Sequence, residues 1–520
     1  MSKKIIIGSR GSELALWQAN YTKNKLEKLG HNVEVKIIKT RGDQIQHLSF
    51  DKMEGKGFFT KEIEEALLNK SIDLAVHSHK DLETCQPDGL TVVAVSKREN
   101  PAELLLIKKG SVDLKLPFSL KKKPVVGTSS ARRKTQLLSV RQDIKLKDLR
   151  GNVPTRIQKL RDGGYDAIML AAAGVQRLEI DLSEFHVEEL ACKEFIPAPA
   201  QGVLGWQIRK NDAELPPIMA LLNDSEIQET IGVERKILNL FDGGCQLPLG
   251  AYCIKKNGEY HVWASSSSSW DAYPKRVYAQ SNSTEGLAEK VIKKLKETPA
   301  KKTVFVSRKL PKNTFFRRAL EQNGFIVSAE SLTVFEQVPF NGFEQTDWIF
   351  FSSKNCVKHF FSQNPQIGEN TKLGAIGGAT NQELKTQGYK AKFIGSSTNT
   401  KEIGHDFSEL VGTQSVLFPI SSSSYRTIQK QFKNQTNLID LVAYHSVENV
   451  SVNVPDTTIV VLTSPSNAIL YFRHHPSTGN KTYIAMGNST GKKLKELGVS
   501  NYILPWNSSV IALVDTIQSV

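Results

Sequence analysis

Short runs of β-branched and aliphatic residues alternate with segments of helical periodicity along nearly all of this 520-residue chain. That alternation confines it to α/β architectures, in which helices cover a mainly parallel sheet. Residues 5–7 and 33–38 read as strands. Between them Ser12-Glu-Leu-Ala-Leu-Trp-Gln-Ala opens a helix, with Ser12 as its N-cap and Gly30 as its stop. Residues 60–69 read as a helix, residues 72–76 as a buried strand, and His77-Ser-His-Lys-Asp81 as its polar exit. In such sheets ligands bind beyond the carboxyl ends of the strands, which is where Arg10, Lys80 and Asp81 fall.

A second pattern of the same kind starts after Pro101. Val125-Val-Gly-Thr128-Ser-Ser130 runs from a strand into a helix near Ala131, the stretch from Leu149 to Arg156 leads into another helix, and residues 166–170 form a strand. A 3.6-residue period at 227–241 precedes Asp242-Gly-Gly-Cys245-Gln-Leu-Pro-Leu-Gly250, and short strands (251–254, 260–264) and a Lys-rich helix (285–297) complete a small α+β unit. Lys296-Glu-Thr-Pro-Ala-Lys-Lys-Thr303 lacks periodicity and marks a linker. Beyond it the alternation restarts, with strands at 303–307 and 325–329 around a helix ending at Gly324. There Ala375-Ile-Gly-Gly-Ala-Thr380 is echoed by Ala485-Met-Gly-Asn-Ser-Thr490, and Phe350-Phe-Ser-Ser-Lys-Asn355 by Val461-Leu-Thr-Ser-Pro-Ser-Asn467. Two copies mean two related lobes rather than a solenoid. The serine runs 265–269 and 421–424 read as loops. The expected domains are 1–100 with 200–218, 101–199, 219–297, a linker at 298–302, 303–337 with 449–520, and 338–448.

Net charge is +15, and residues 101–161 alone hold 16 basic against 4 acidic side chains. Such a concentrated excess implies an anionic partner, whether nucleic acid, phosphate or polycarboxylate. No run reaches the roughly 18–20 apolar residues of a membrane span, and the amino-terminal apolar run is too short for a signal peptide. Five cysteines, at 85, 192, 245, 253 and 356, include no CxxC pair, which suits a reducing cytoplasm better than a disulfide or zinc scaffold.

Four features bear on chemistry. Arg10, Arg132, Arg133, Arg150 and Arg156 stand at expected helix starts or strand ends. Singly each reads as a solvated surface residue. Together, beside the donors Thr128, Ser129 and Ser130, they form a cradle for a polyanion, because guanidinium forks take carboxylates bidentately. Asp81 follows Lys80: on the surface this is an ion pair, and in a cleft it is a general acid or a stabiliser of positive charge. Cys245, between glycines and a proline, is either a packing residue or an exposed nucleophile and attachment point. His77 and His79 lack a third ligand and read as structural, so no metal site is expected.

Seven segments resemble hydroxymethylbilane synthase (porphobilinogen deaminase), in the expected order from residue 3 to about 297. They are Ser9-Arg10-Gly-Ser12-x-Leu-Ala-Leu-Trp-Gln18, Gly55-Lys56-Gly-Phe-Phe-Thr-Lys61, Ala75-Val-His-Ser-x-Lys80-Asp81, Val126-Gly-Thr-Ser-Ser-x-Arg132-Arg133, Leu149-Arg150-Gly-Asn-Val-x-Thr-Arg156, Ala173-Gly-x-x-Arg177-Leu and Gly243-Gly-Cys245-Gln-x-Pro-x-Gly250. His79 and Gln176 stand where that family more often has Met and Lys. The resemblance implies two periplasmic-binding-protein-like α/β domains around a cleft, then a small α+β domain. It also implies a dipyrromethane cofactor in thioether linkage to Cys245, on which four porphobilinogen molecules condense with loss of ammonia. Each pyrrole brings an acetate and a propionate. The resemblance therefore makes Ser78, Lys80, Thr128, Ser130, Arg132, Arg133 and Arg150 cofactor-binding, and Arg10, Ser12, Lys56, Arg150, Arg156 and Arg177 substrate-binding. Asp81, Lys80 and Arg10 become catalytic.

Residues 303–520 are similar to uroporphyrinogen-III synthase, through Phe351-Ser-Ser-Lys-Asn355, Ala375-Ile-Gly-x-x-Thr380, Val442-Ala-Tyr444-His-Ser-Val, Leu462-Thr463-Ser464-Pro-Ser466 and Ala485-Met-Gly-x-x-Thr490. That implies a two-lobed α/β module that cyclises the bilane, with Tyr444, Thr463, Ser464 and Thr490 near its substrate. The combined expectation is a bifunctional cytoplasmic enzyme of tetrapyrrole and heme biosynthesis that needs neither nucleic acid nor membrane; its oligomeric state is left open, a monomer being compatible with the sequence. The alternatives are a deaminase with an inactive carboxy-terminal half and a non-catalytic anion binder. A nucleic-acid module ranks third, because the basic stretch lacks the interleaved aromatics that stack bases.

Overall fold

The computed structural model describes residues 4–40, 60–241, 247–297, 301–311, 314–395, 400–435, 437–476, 480–507 and 509–520. Their strands form five sheets. The first has the order Val33–Ile37, Ile5–Ser9, Leu74–Ser78, Leu204–Arg209, Leu90–Val95. The second has the order Lys145–Lys147, Val125–Gly127, Ala167–Ala171, Glu103–Lys108, Phe185–Leu190. In each, the first three strands are parallel and the fourth is antiparallel to both neighbours. The sequence predicts mainly parallel sheets, and the fourth strand is the exception. It is the strand the chain makes on crossing between the two sheets, where no helical connection returns it in parallel.

Local chemistry starts the helices. Ser12 accepts from the Ala15 N–H at 3.4 Å and opens the helix Glu13–Lys28, which buries Gln18, Ala19, Thr22 and Leu26 on one side. Ile7, Leu74 and Trp206 fill the core beneath it, each worth about 1.5–3 kcal/mol when removed from water. The two crossings run side by side, with Glu99 N–H bonded to Gly202 O at 3.1 Å. Gly202 has φ +90°, and a Cβ there would lie 2.3 Å from Glu99 O, so no other residue fits.

The third sheet is an antiparallel meander of Leu249–Lys256, Glu259–Ser266 and Lys275–Ser281, packed against the helices Ser225–Leu240 and Leu287–Lys296. Asn257 (φ 52°) and Gly258 (φ 83°) make the two-residue turn of its first hairpin, the conformation that Asn-Gly favours. Ser265 and Ser266, expected in a loop, continue the strand and pair with Arg276 and Lys275.

The fourth sheet is wholly parallel: Ile326–Ala329, Thr303–Val306, Ile459–Leu462, Thr482–Ala485, Tyr502–Ile503. The fifth has the order Thr333–Gln337, Leu438–Glu448, Val416–Ser421, Trp348–Phe351, Lys372–Ala375, Phe393–Ile394. Thr333–Gln337, placed by the sequence with the first of these lobes, pairs antiparallel with Leu438–Glu448 in the second lobe's sheet. The echoed segments occupy equivalent places. Ser353 and Ser464 cap the helices Lys354–Phe361 and Pro465–His474 with closely matched backbone angles, φ −164° and −156°. Gly377 and Gly487 precede the helices Gly378–Thr386 and Asn488–Glu496. Among the described residues no helix is long and apolar enough to cross a membrane.

Candidate functional site

The strand Leu74–Ser78 ends in a single tight turn, His79–Asp81, which delivers Lys80 and Asp81 to the carboxyl edge of the first sheet. Beneath them His77 and His79 are buried, and burial draws both imidazoles down to about 4. His77 Nε2 meets Gln207 Oε1 at 3.1 Å. Neutral, enclosed rings support the loop rather than carry protons. Ser78 Oγ accepts from Gln18 Nε2 at 2.9 Å, and Arg10, at the end of the adjacent strand, is close enough for its charge to act on His77. Lys80 donates to Gln201 Oε1 at 3.2 Å. Its amine is pulled down by burial and pushed back by Asp81, which is exposed.

The second sheet supplies the other wall. Thr128 and Ser130 follow the strand Val125–Gly127, and Ser130 caps the helix Ala131–Val140. Arg132 and Arg133 therefore lie in the first turn of that helix, and both are buried. Arg132 donates to one oxygen of Glu103 (2.5 Å) and to Ile196 O (2.9 Å). Arg133 donates to the other oxygen (2.6 Å) and to Met169 O (3.2 Å). Burial alone would raise the Glu103 carboxyl, but Arg133 and Arg132 outweigh it and hold it at about 2.

Arg156, in the helix Val153–Arg161, is drawn down to about 10 by burial and by Arg133 and Arg150, with Asp81 opposing. The electrostatic reach of Lys80 and Arg156 thus joins residues from both sheets into one cluster. In it, among the described residues, Lys80, Arg132, Arg133 and Arg156 are acted on by two carboxylates, Asp81 and Glu103. Of those two, Glu103 is committed to arginines and Asp81 is open. Among the described residues the buried ε-nitrogen of Arg133 has no acceptor.

Not every expected residue joins this group. Arg177 lies over the Trp17 ring at 5.6 Å and donates to Gly202 O at 2.7 Å, and the charged groups that act on it are Glu99 and Tyr21. Ser12 is a helix cap. Lys56 and Cys245 lie outside the described residues. Glu103 and Gln201 escape sequence reasoning, although Glu103 is one of only four acidic residues in the basic stretch 101–161. Gln201 links Lys80 to the crossing, with its amide on Pro101 O at 2.8 Å and on Glu103 Oε1 at 3.2 Å.

In the carboxy-terminal lobes, Thr463 Oγ1 sits 3.1 Å from Ser307 Oγ and 2.9 Å from the Asn467 amide nitrogen, while Ser464 caps the following helix. Thr490 is buried in the first turn of Asn488–Glu496. Tyr444 is also buried. Its ring stacks on His359 at 4.9 Å, and its hydroxyl lies 3.9 Å from Cys356 Sγ. Burial, with Cys356 adding, pushes that phenol up to about 12.

Residues 5–216 match the family model of porphobilinogen deaminase, dipyromethane cofactor binding domain. A curated porphobilinogen deaminase from Sulfurimonas denitrificans is 45% identical over 251 residues, covering 48% of this chain and 78% of that protein. The chain belongs to the porphobilinogen deaminase family. A second deaminase, from Bacillus mycoides, is 43% identical over 262 residues, 49% of this chain and 82% of that protein. Behind the deaminase half, residues 316–515 match uroporphyrinogen-III synthase HemD. A uroporphyrinogen-III synthetase structure from Helicobacter pylori aligns with 42% of this chain and 99% of its own at 18% identity and a TM-score of 0.34. Deaminase and synthase regions in one chain make it a bifunctional enzyme of tetrapyrrole biosynthesis.

The deaminase cluster suits its cofactor class. A dipyrromethane carries four carboxylates, and burying them needs fixed cations and donors. The excess of guanidinium groups and the unsatisfied Arg133 ε-nitrogen provide these.

Proposed function

We propose that the deaminase half joins four porphobilinogen molecules head to tail, with release of ammonia, on a dipyrromethane bound through Cys245. The synthase half then closes the resulting hydroxymethylbilane to uroporphyrinogen III. The observation that carries this reading is the cluster itself: five cations from two sheets gathered with the exposed carboxylate of Asp81.

When bound, dipyrromethane supplies the electron-rich pyrrole to which new rings are joined. The chain's own residues do the rest. Ser78, Lys80, Thr128, Ser130, Arg132, Arg133 and Arg150 hold the cofactor's carboxylates, and Arg10, Lys56, Arg150 and Arg156 those of incoming pyrroles. Cations fixed in advance offset the repulsion among accumulating carboxylates, at no reorganisation cost when each ring arrives. Losing ammonia from porphobilinogen leaves an azafulvene, which is cationic once protonated. Among the cluster's groups only Asp81 can meet that charge, because Glu103 is occupied by Arg132 and Arg133. Lys80 and Arg10 hold the ring's acids on either side of it. In the synthase half, Thr463, Ser464 and Thr490 mark helix N-termini suited to substrate carboxylates, and Tyr444 completes that cleft. The reading calls for a small pyrrole substrate in a reducing cytoplasm, and one chain contributes every residue named.

Incubating the full-length protein with porphobilinogen and identifying the porphyrin isomer after oxidation tests this directly. The type III isomer is expected. Exclusive type I product would show an inactive synthase half, and no porphyrin at all would overturn the proposal.

A further inference from the structure

The strand Lys275–Ser281 is the outer strand of the third sheet, so its outward N–H groups need partners from elsewhere. Two find them in the last residues of the synthase half. Arg276 N–H donates to Gln518 Oε1 at 2.7 Å, and Tyr278 N–H donates to Ser519 Oγ at 2.9 Å. These acceptors lie at the end of the helix Val510–Gln518. The Arg276 side chain continues the join. Its Nε and one Nη reach the two oxygens of Asp515 at 2.7 and 3.3 Å. Its guanidinium also donates to Glu194 O and Lys193 O, each at 2.8 Å. Both charged side chains are out of water, at 5% and 0% exposure.

Lys193 and Glu194 begin the crossing that leads from the second sheet back to the first. The Lys193 amine lies 4.8 Å from the Trp263 ring and 5.8 Å from the Trp506 ring, and the two indoles meet edge to face at 5.7 Å. Trp506 in turn donates to Asp515 at 3.2 Å. Three pieces of chain therefore converge here: the deaminase crossing, the sheet that follows Cys245 along the chain, and the synthase's terminal helix. A surface ion pair between loosely linked modules would be solvated and worth little. This one is sealed, bidentate and flanked by backbone bonds that close a sheet edge, which is how the interior of a single unit is built.

We propose that the terminal helix of the synthase half is a structural part of the deaminase half. It closes the open edge of the third sheet and, through Arg276, fastens that sheet to the interdomain crossing, so the two halves unfold together. Deaminase stability then depends on residues 515–519, which lie far along the chain from any residue assigned to the deaminase reaction.

The test uses the full-length protein. Calorimetry of the wild type should show one transition, with porphobilinogen consumption and bilane cyclisation lost over the same interval. The Asp515→Asn variant, and separately the Gln518→Ala/Ser519→Ala pair, should lower the temperature of deaminase inactivation by about 2 °C or more. Amide exchange at Arg276 and Tyr278 should accelerate at least about tenfold in the paired variant, a readout independent of either activity. Should Asp515→Asn fail to fold, the paired variant decides the matter, since it buries no unpaired charge. Two well-separated transitions in the wild type, or variants whose deaminase inactivation and amide exchange match the wild type, would overturn the proposal.

Discussion

Glu103 meets Arg133 at 2.6 Å with both side chains almost wholly removed from water, and its second oxygen takes Arg132. Removing the charge from one side of such a buried pair leaves the other side uncompensated, at about 3–5 kcal/mol. Glu103→Gln is therefore expected to shift the denaturant midpoint of the full chain strongly downward. Urea titration checks this, and a loss below about 1 kcal/mol would mean that the arginines find other partners.

The same residue shapes the acid response. Folded His77 and His79 take protons near pH 4, whereas unfolded imidazole does so near 6.5, so stability declines as pH falls from 6.5 towards 4. Glu103 is held at about 2 against an ordinary 4.5, so its contribution is complete above 4.5 and is lost between 4.5 and 2. Unfolding free energy measured against pH should show both stages, and Glu103→Gln should shrink the lower one, to which Asp143, also held at about 2 by its hydrogen bond from Arg141, still contributes. A flat profile from pH 6.5 to 4 would remove the histidines from the account.

Asp81→Ala deletes the exposed carboxylate of the cluster while leaving buried contacts in place. Ammonia release from porphobilinogen should fall by at least about 100-fold, with circular dichroism and melting unchanged. Turnover within about threefold of wild type would refute its assigned role.

Tyr444→Phe should raise the proportion of type I porphyrin without altering porphobilinogen consumption, since the tyrosine belongs to the fifth sheet alone. Isomer separation by chromatography reads both at once. An unchanged isomer ratio would show that the phenol, turned toward Cys356 in this structure, takes no part in closing the ring.

What the residues revealed in advance depended on how far apart the interacting groups lie in sequence. Helix starts at Ser12 and Ser130 were legible because each cap hydroxyl accepts from a backbone N–H three residues on. The paired turns of the two synthase lobes were legible because the same local chemistry is written twice. Glu103 was not, since its partner Arg132 is 29 positions away, and Gln201 meets Lys80 across 121. The antiparallel strand Leu204–Arg209 and the Arg276–Asp515 join, spanning 239 positions, arise from chain crossings and docking that no local pattern encodes.

The central claim is that a cluster of fixed cations serves an acidic pyrrole chain tethered through the sulfur of Cys245. Intact-mass analysis of the purified full-length protein, followed by peptide mapping, tests it most directly. The account predicts a mass increment equal to one dipyrromethane, confined to the peptide containing Cys245 and absent from Cys245→Ser. An unmodified Cys245 in protein that nonetheless converts porphobilinogen, or the increment on another cysteine, would contradict it.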